Sequence, residues 1–201
     1  MRWSALATIA TLLSISASAF ADPKRLSYDY DYTIAKVMAP SNVPVHPVEW
    51  YTTGAAKSFG RIFPFKSNCS EIPPVLGTCV LFFPVQGGLD VTENPLMVVI
   101  RSPVSFAFKT LPGHIEGPNR YVMFHFYYDE QVWTTNTFIP YVYLRMRVIG
   151  SGEWSAAAYA SIKSRAVELI WDRYAQSLRN AIANDRLYPS GPRLLKPGES
   201  P

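Results

Sequence analysis

Apolar and polar residues alternate strictly from Leu26 to Ile34, with Leu26, Tyr28, Tyr30, Tyr32 and Ile34 on one side and Ser27, Asp29, Asp31 and Thr33 on the other. A period of two with aromatic residues predicts a half-buried strand whose aromatic stripe faces the core. Pro40, Pro44 and Pro47 predict an extended, irregular connection. Glu49 to Phe59 predicts a short helix, with Trp50, Ala55, Ala56 and Phe59 on its apolar side and Gly54 weakening it.

Beyond Cys79 the period stays at two. Cys79 to Val85 and Leu96 to Ile100 are apolar runs separated by the turn signal Gln86-Gly87-Gly88. Val104, Phe106 and Phe108 alternate with Ser105, Ala107 and Lys109, and Pro103 marks a bulge or an edge. Leu111 to Asn119 is a loop. Arg120 to Tyr128 is a strand with Val122, Phe124, Phe126 and Tyr128 opposite Tyr121, Met123, His125 and Tyr127. Both sets are largely apolar, which predicts a strand covered on both sides. Val132 to Ile149 is one long strand, or two joined at Pro140, with Arg145 and Arg147 opposite Leu144, Met146 and Val148.

Gly150-Ser151-Gly152 is expected to end the sheet, with Ser151 as the N-cap of one helix running from about Glu153 to Asn184. Ala158, Ile162, Ala166, Ile170, Tyr174, Leu178 and Ile182 recur every four residues along it, and Leu169, Trp171 and Ala181 widen that stripe. A helix with one apolar stripe must lie across something, and the sheet is the available partner. The pattern therefore predicts a single α+β domain over residues 22–186. Residues 187–201, with Pro189, Pro192, Pro197 and Pro201, read as a flexible tail.

The N-terminus carries a different signal. Met1-Arg2-Trp3, an apolar run from Ala5 to Ile15 and the small-x-small triplet Ala19-Phe20-Ala21 have the layout of a signal peptide cleaved after Ala21. The run is shorter than the about 20 residues a membrane span needs. A secreted or periplasmic address follows, without a transmembrane span in the mature chain. In that setting the two cysteines, Cys69 and Cys79, predict a disulfide ordering a segment that contains Pro73, Pro74 and Gly77. They lack metal-ligand spacing. Asn68-Cys69-Ser70 fits a glycosylation sequon, relevant only in a eukaryotic host.

Composition narrows the partners. Charged residues are 17% of the chain and the formal net charge is +4, without a run of Lys or Arg. That excludes the basic stripe a nucleic-acid partner requires. Serine-hydrolase, zinc-protease, P-loop and dinucleotide fingerprints are absent, and no cofactor or metal is indicated.

The candidates for chemistry are His114 with Glu116, two residues apart in one loop, and His125 in mid-strand. A His beside a carboxylate serves as a general base. The same pair also serves to hold a turn through backbone hydrogen bonds, and no nucleophile is placed beside it. His125 shares a face with Tyr121, Met123 and Tyr127, which either lines a cavity or meets water. Asp29 with Asp31, and Arg145 with Arg147, read as solvated strand faces. His46 reads as a surface loop residue.

The order of an early strand, an irregular middle, antiparallel strands and a long C-terminal helix, together with Phe108-Lys109-Thr110-Leu111-Pro112-Gly113-His114-Ile115-Glu116-Gly117, resembles the START-like, polyketide-cyclase-like superfamily. Within it the loop is similar to a bacterial domain family of unknown function that shows Thr-Leu-Pro-Gly-His-Pro-Glu between two late strands. Ile115 stands where that family has its second proline. The resemblance implies a curved antiparallel sheet packed on the long C-terminal helix, the helix-grip arrangement, with an apolar cavity between them. It implies binding of hydrophobic small molecules or lipids, and supplies no catalytic residues.

Three functional expectations result. The first is an exported binding domain whose cavity is lined by Phe106, Phe108, Phe124, Phe126, Ile162 and Ile170. Aromatic residues at 14% and strands apolar on both faces motivate it. The second is an exported inhibitor or effector docking on a protein through an exposed patch of Tyr28, Tyr30, Tyr32, Trp50 and Tyr51. The third is a cavity enzyme using His114 with Glu116, or His125.

Overall fold

The computed structural model describes residues 25–38, 46–84, 91–131, 141–184, 186 and 187. The signal-peptide reading, Pro40 and Pro44, the turn at residues 86–88, the strand expected over residues 132–140 and most of the expected tail lie outside them.

Seven strands form one antiparallel sheet: β1 (Arg25–Met38), β2 (Lys66–Ser67), β3 (Thr78–Pro84), β4 (Val91–Arg101), β5 (Ser105–Thr110), β6 (Tyr121–Gln131) and β7 (Tyr141–Glu153). Their spatial order is β1-β7-β6-β5-β4-β3-β2. From β3 to β7, chain order and sheet order coincide, as antiparallel strands with short connections require. β1 departs from that rule by closing the far edge against β7. Register shifts at Thr33/Ala35 in β1 and at Val98/Ile100 in β4 are bulges of the kind that bend a sheet. The bulge in β4 also breaks the expected alternation: Val98 is fully buried, while Ile100 turns outward and is exposed.

Four helices pack against the concave face: α1 (Val48–Lys57), α2 (Phe59–Ile62), α3 (Ala156–Lys163) and α4 (Ala166–Ala183). The fold is α+β, a curved antiparallel sheet gripping the C-terminal helix. Phe106 and Phe108 of β5, Phe124 and Phe126 of β6, and Leu144, Met146 and Val148 of β7 point inward. They pack on Tyr174, Ala175 and Leu178 of α4 and on Phe59 and Phe63 from the α2 region.

Five expectations are corrected. The single C-terminal helix is two, broken where Arg165 adopts a left-handed conformation (φ 62°). The sheet does not end at Gly150, because β7 runs on to Glu153. Ser155, rather than Ser151, caps the first helix by accepting from the Ala158 N–H at 3.1 Å. The expected stripe meets the buried face of α4 only in part: Tyr174 and Leu178, with Trp171 and Ala181, lie on it beside Val167 and Ala175, whereas Ala166, Ile170 and Ile182 are half-buried and Leu169 is exposed. Steps of four overshoot a 3.6-residue turn by about 40° each, so such a series winds off the buried face. Finally, β6 is covered on one side only: Tyr121 is exposed, and Met123, His125 and Tyr127 are half-buried on the convex face.

Cys69 and Cys79 form a disulfide with their Cα atoms 5.7 Å apart. The stapled segment seats Ile72 in the core, its N–H donating to the Ala56 carbonyl at 2.9 Å. Leu187, the first residue of the expected tail, is itself buried, and its carbonyl accepts from the Ser58 hydroxyl.

Candidate functional site

The inner face of β7 changes character along its length. Leu144, Met146 and Val148 fill it with side chains, and Gly150 and Gly152 then leave it bare. A Cβ on Gly150 would lie 2.0 Å from the ring of Tyr28, its cross-strand partner. A Cβ on Gly152 would lie 2.8 Å from Cα and Cγ of Arg120. Both glycines therefore make room for a larger neighbour, which is the use of glycine at a close approach in a strand.

Tyr28 and Arg120, the two side chains seated over these glycines, also border a partly open cavity of about 70 Å³. Leu81 and Phe83 of β3, Leu96 of β4 and Phe108 of β5 form its sheet wall. Val167, Ile170 and Trp171 of α4 form the helix wall. Tyr28 and the loop residues His114, Glu116 and Arg120 gather at one corner.

That loop, residues 111–120, is folded by its own polar groups. Gly113 and Gly117 take left-handed conformations (φ 96° and 92°). The Thr110 hydroxyl donates to the Gly117 carbonyl at 2.8 Å and accepts from the Arg120 N–H at 2.9 Å. Arg120 is only 4% exposed. A buried guanidinium demands partners, and it has them: Nη1 donates to the Glu153 carbonyl at 2.6 Å, and Nε lies 3.5 Å from Glu116. Glu116 also accepts from the Ser161 hydroxyl at 2.8 Å, tying the loop to α3.

His114 accepts the Glu116 N–H at Nδ1, 3.2 Å away. That bond assigns the proton of the neutral ring to Nε2. Burial, aided by the positive charge of Arg120, pulls the His114 pKa down to about 4. At neutral pH His114 is thus a hydrogen-bond donor with its lone pair occupied, a poor general base. His114 and Glu116 hold the turn, as one of the two sequence readings has it.

His125 is on the other side of the sheet, its Nδ1 2.8 Å from the Ser105 hydroxyl and its ring stacked on Tyr127. The convex face continues with Arg147 paired to Asp29 and Arg145 paired to Asp31 at 2.9 Å. Tyr127 donates to Asp31 at 2.6 Å. These acids and arginines neutralise one another across strands, as a solvated face does. His46 stacks on Trp50 at 4.2 Å beside α1.

No family model matches the chain, and neither does any curated protein. Solved structures similar to it include protein Ms6760 from Mycobacterium smegmatis, at 12% identity over 82% of this chain and 94% of that one, with a TM-score of 0.49. Others are the di-domain ARO/CYC BexL of the BE-7585A biosynthetic pathway (11%, 78% of this chain, TM-score 0.49) and Ara h 8.0201 (4%, 80% of this chain and 99% of that one, TM-score 0.44). The chain spans about half the length of BexL (49%). At these identities the chemistry of the cavity has to be read from the chain's own residues.

Of the six lining residues expected from the sequence, Phe108 and Ile170 line the cavity. Phe106, Phe124 and Phe126 are packed against one another in the core beside it, with ring centroids 5.1 to 6.0 Å apart for the pairs with Phe106. Ile162 is half-buried on α3 and is not part of the wall. Sequence reasoning missed Tyr28, Arg120 and Trp171. Gly150 and Gly152 carried a usable signal: two glycines at strand spacing on an inward face mark a place where something large comes close.

Proposed function

We propose that this protein is an exported binding domain that takes a hydrophobic small molecule, or the end of a lipid, into the cavity between β3–β5, the 111–120 loop and α4. The observation that carries the reading is the cavity itself: apolar walls from two secondary-structure layers, with convergent polar groups at one corner, is the ordinary make-up of a small-molecule site. Its volume, about 70 Å³, is well below the ~300 Å³ at which drug-sized sites begin. The cavity therefore suits a small ligand, or one end of a longer one that leaves through the open side. Export is supported by the layout of residues 1–21.

The protein-docking reading needs an exposed aromatic patch. Tyr51 is buried, and Tyr28, Tyr30, Tyr32 and Trp50 are half-buried against the core. The enzymatic reading loses its base at His114, and it finds His125 outside the cavity.

Native mass spectrometry of the protein purified from its own exporting host, followed by mild organic extraction, tests the proposal. The expected result is a chain beginning at Asp22 with an extractable apolar molecule bound. A chain that retains residues 1–21 overturns the export reading. If it also carries no extractable molecule and binds no added hydrophobic probe, the binding reading falls too.

A further inference from the structure

The polar corner of the cavity has an uneven inventory. The carboxylate, hydroxyl and imidazole acceptors of the 110–120 segment already have partners among the described residues. The Glu116 carboxylate is shared between Ser161 and Arg120, the Thr110 hydroxyl accepts from the Arg120 N–H, and His114 Nδ1 accepts from the Glu116 N–H. The donors are not used up. Nε2–H of His114, Nη2 of Arg120 and the phenol O–H of Tyr28 have no acceptor among the described residues. The indole N–H of Trp171 is buried in the helix wall, also without a partner in full hydrogen-bond geometry. Its neighbour is the Tyr28 phenol oxygen, toward which it acts as a weak hydrogen-bond donor, and burial holds that phenol protonated, with its own O–H still to place. A buried donor left unmade is costly, and proteins keep such groups where something else satisfies them.

The charges of this corner, by contrast, are balanced. Arg120 is neutralised by Glu116, and His114 is neutral. An anionic head would meet the Glu116 carboxylate with no unmatched cation to offset it.

Resting on the binding reading above, we infer that the buried end of the ligand carries an uncharged hydrogen-bond acceptor with no proton to give: the carbonyl of a ketone, an ester or a lactone. The Tyr28 hydroxyl and His114 Nε2–H are the donors that receive it, and Arg120 and Trp171 complete the donor-rich corner. A pure hydrocarbon satisfies none of the four. A carboxylate adds a charge the corner does not balance.

Three probes of nearly equal shape separate these cases: acetophenone, isopropylbenzene and benzoate, titrated into the full mature protein at neutral pH. Each affinity is referred to the probe's own partition into hexadecane, which removes the difference in hydrophobicity. Acetophenone is expected to bind at least about fivefold better than isopropylbenzene on that scale, as one net hydrogen bond gives. Its carbonyl stretch should move to lower frequency when bound. Tyr28→Phe and His114→Phe should each reduce the preference for acetophenone over isopropylbenzene and the frequency shift. The frequency shift in the unaltered protein stands even if a variant fails to fold. Equal binding of acetophenone and isopropylbenzene overturns the acceptor inference while leaving the cavity reading intact. Tightest binding of benzoate overturns the uncharged class. Failure of all three probes to bind overturns the cavity reading and this inference with it.

Discussion

The two ends of α4 meet the same sheet face and do opposite things with it. At the Tyr174–Leu178 end, Phe106, Phe124, Leu144 and Met146 interlock with the helix, and every one of those side chains is fully buried. At the Val167–Trp171 end, Gly150 and Gly152 admit Tyr28 and Arg120 to the sheet face, and these two side chains border a cavity that Val167, Ile170 and Trp171 close from the helix side. One end is built for stability. The other gives up packing to hold polar groups away from water. A concave sheet with a helix across it thus does not by itself make a binding site; the polar side chains admitted at one end of one strand mark where it lies.

The largest test of this contrast is truncation at each end. Phe124, with rings of Phe63, Trp171 and Tyr174 around it, should lose about 4 kcal/mol of stability as Phe124→Ala in chemical denaturation. Ile170→Ala, in the wall of an existing void, should cost only about 1 kcal/mol. Equal losses would mean the cavity end is packed as tightly as the core. The next test fills the bare stretch of β7. Gly150→Val would drive the Tyr28 ring off β7 and should destabilise the fold by about 3 kcal/mol, read as a lower denaturation midpoint.

A pH titration gives the third test, of up to about 3 kcal/mol. The His114 pKa is about 4 when folded and about 6.5 when unfolded, so the unfolded chain binds more protons between those values. The stability contributed by neutral His114 is whole above about pH 6.5 and is lost as pH falls toward 4. His114→Phe should flatten that part of the stability–pH curve. The smallest test returns to the packed end. The Tyr174 hydroxyl is buried without a partner, so Tyr174→Phe should leave the cavity's ligand binding unchanged. It should stabilise the protein by up to about 1 kcal/mol.

Much of this was legible beforehand. Alternation in residues 26–34 and 120–128 placed β1 and β6, and for β1 also its inward side, because a half-buried strand with one polar face writes its two faces directly into the sequence. The pairing of Cys69 with Cys79 was legible from cysteine count and the exported layout. The candidate site was legible only in part. His114 and Glu116 were singled out with two roles left open, because a His–carboxylate spacing says nothing about which ring nitrogen a backbone N–H will occupy.

Periodicity also misjudged coverage and continuity. The convex face of β6 is apolar enough to look buried, yet nothing in local composition says whether a second layer will form over it. Lys163-Ser164-Arg165 contains neither Gly nor Pro, so the break between α3 and α4 had no breaker to announce it. A left-handed Arg165 is tolerated because the packing on either side fixes both helices, while its side chain pairs with Glu168 at 2.7 Å.

By itself, then, the sequence determined the strands, the inward faces of those with one polar side, the disulfide and the α+β class, because each depends on residues near one another along the chain. Where β1 joins the sheet, where the helix breaks and which side chains the two glycines admit beside the cavity were decided only in three dimensions. Those outcomes depend on which side chain arrives from across the sheet. Tyr28 over Gly150 and Arg120 over Gly152 are contacts between residues more than 30 positions apart, and no local pattern encodes them.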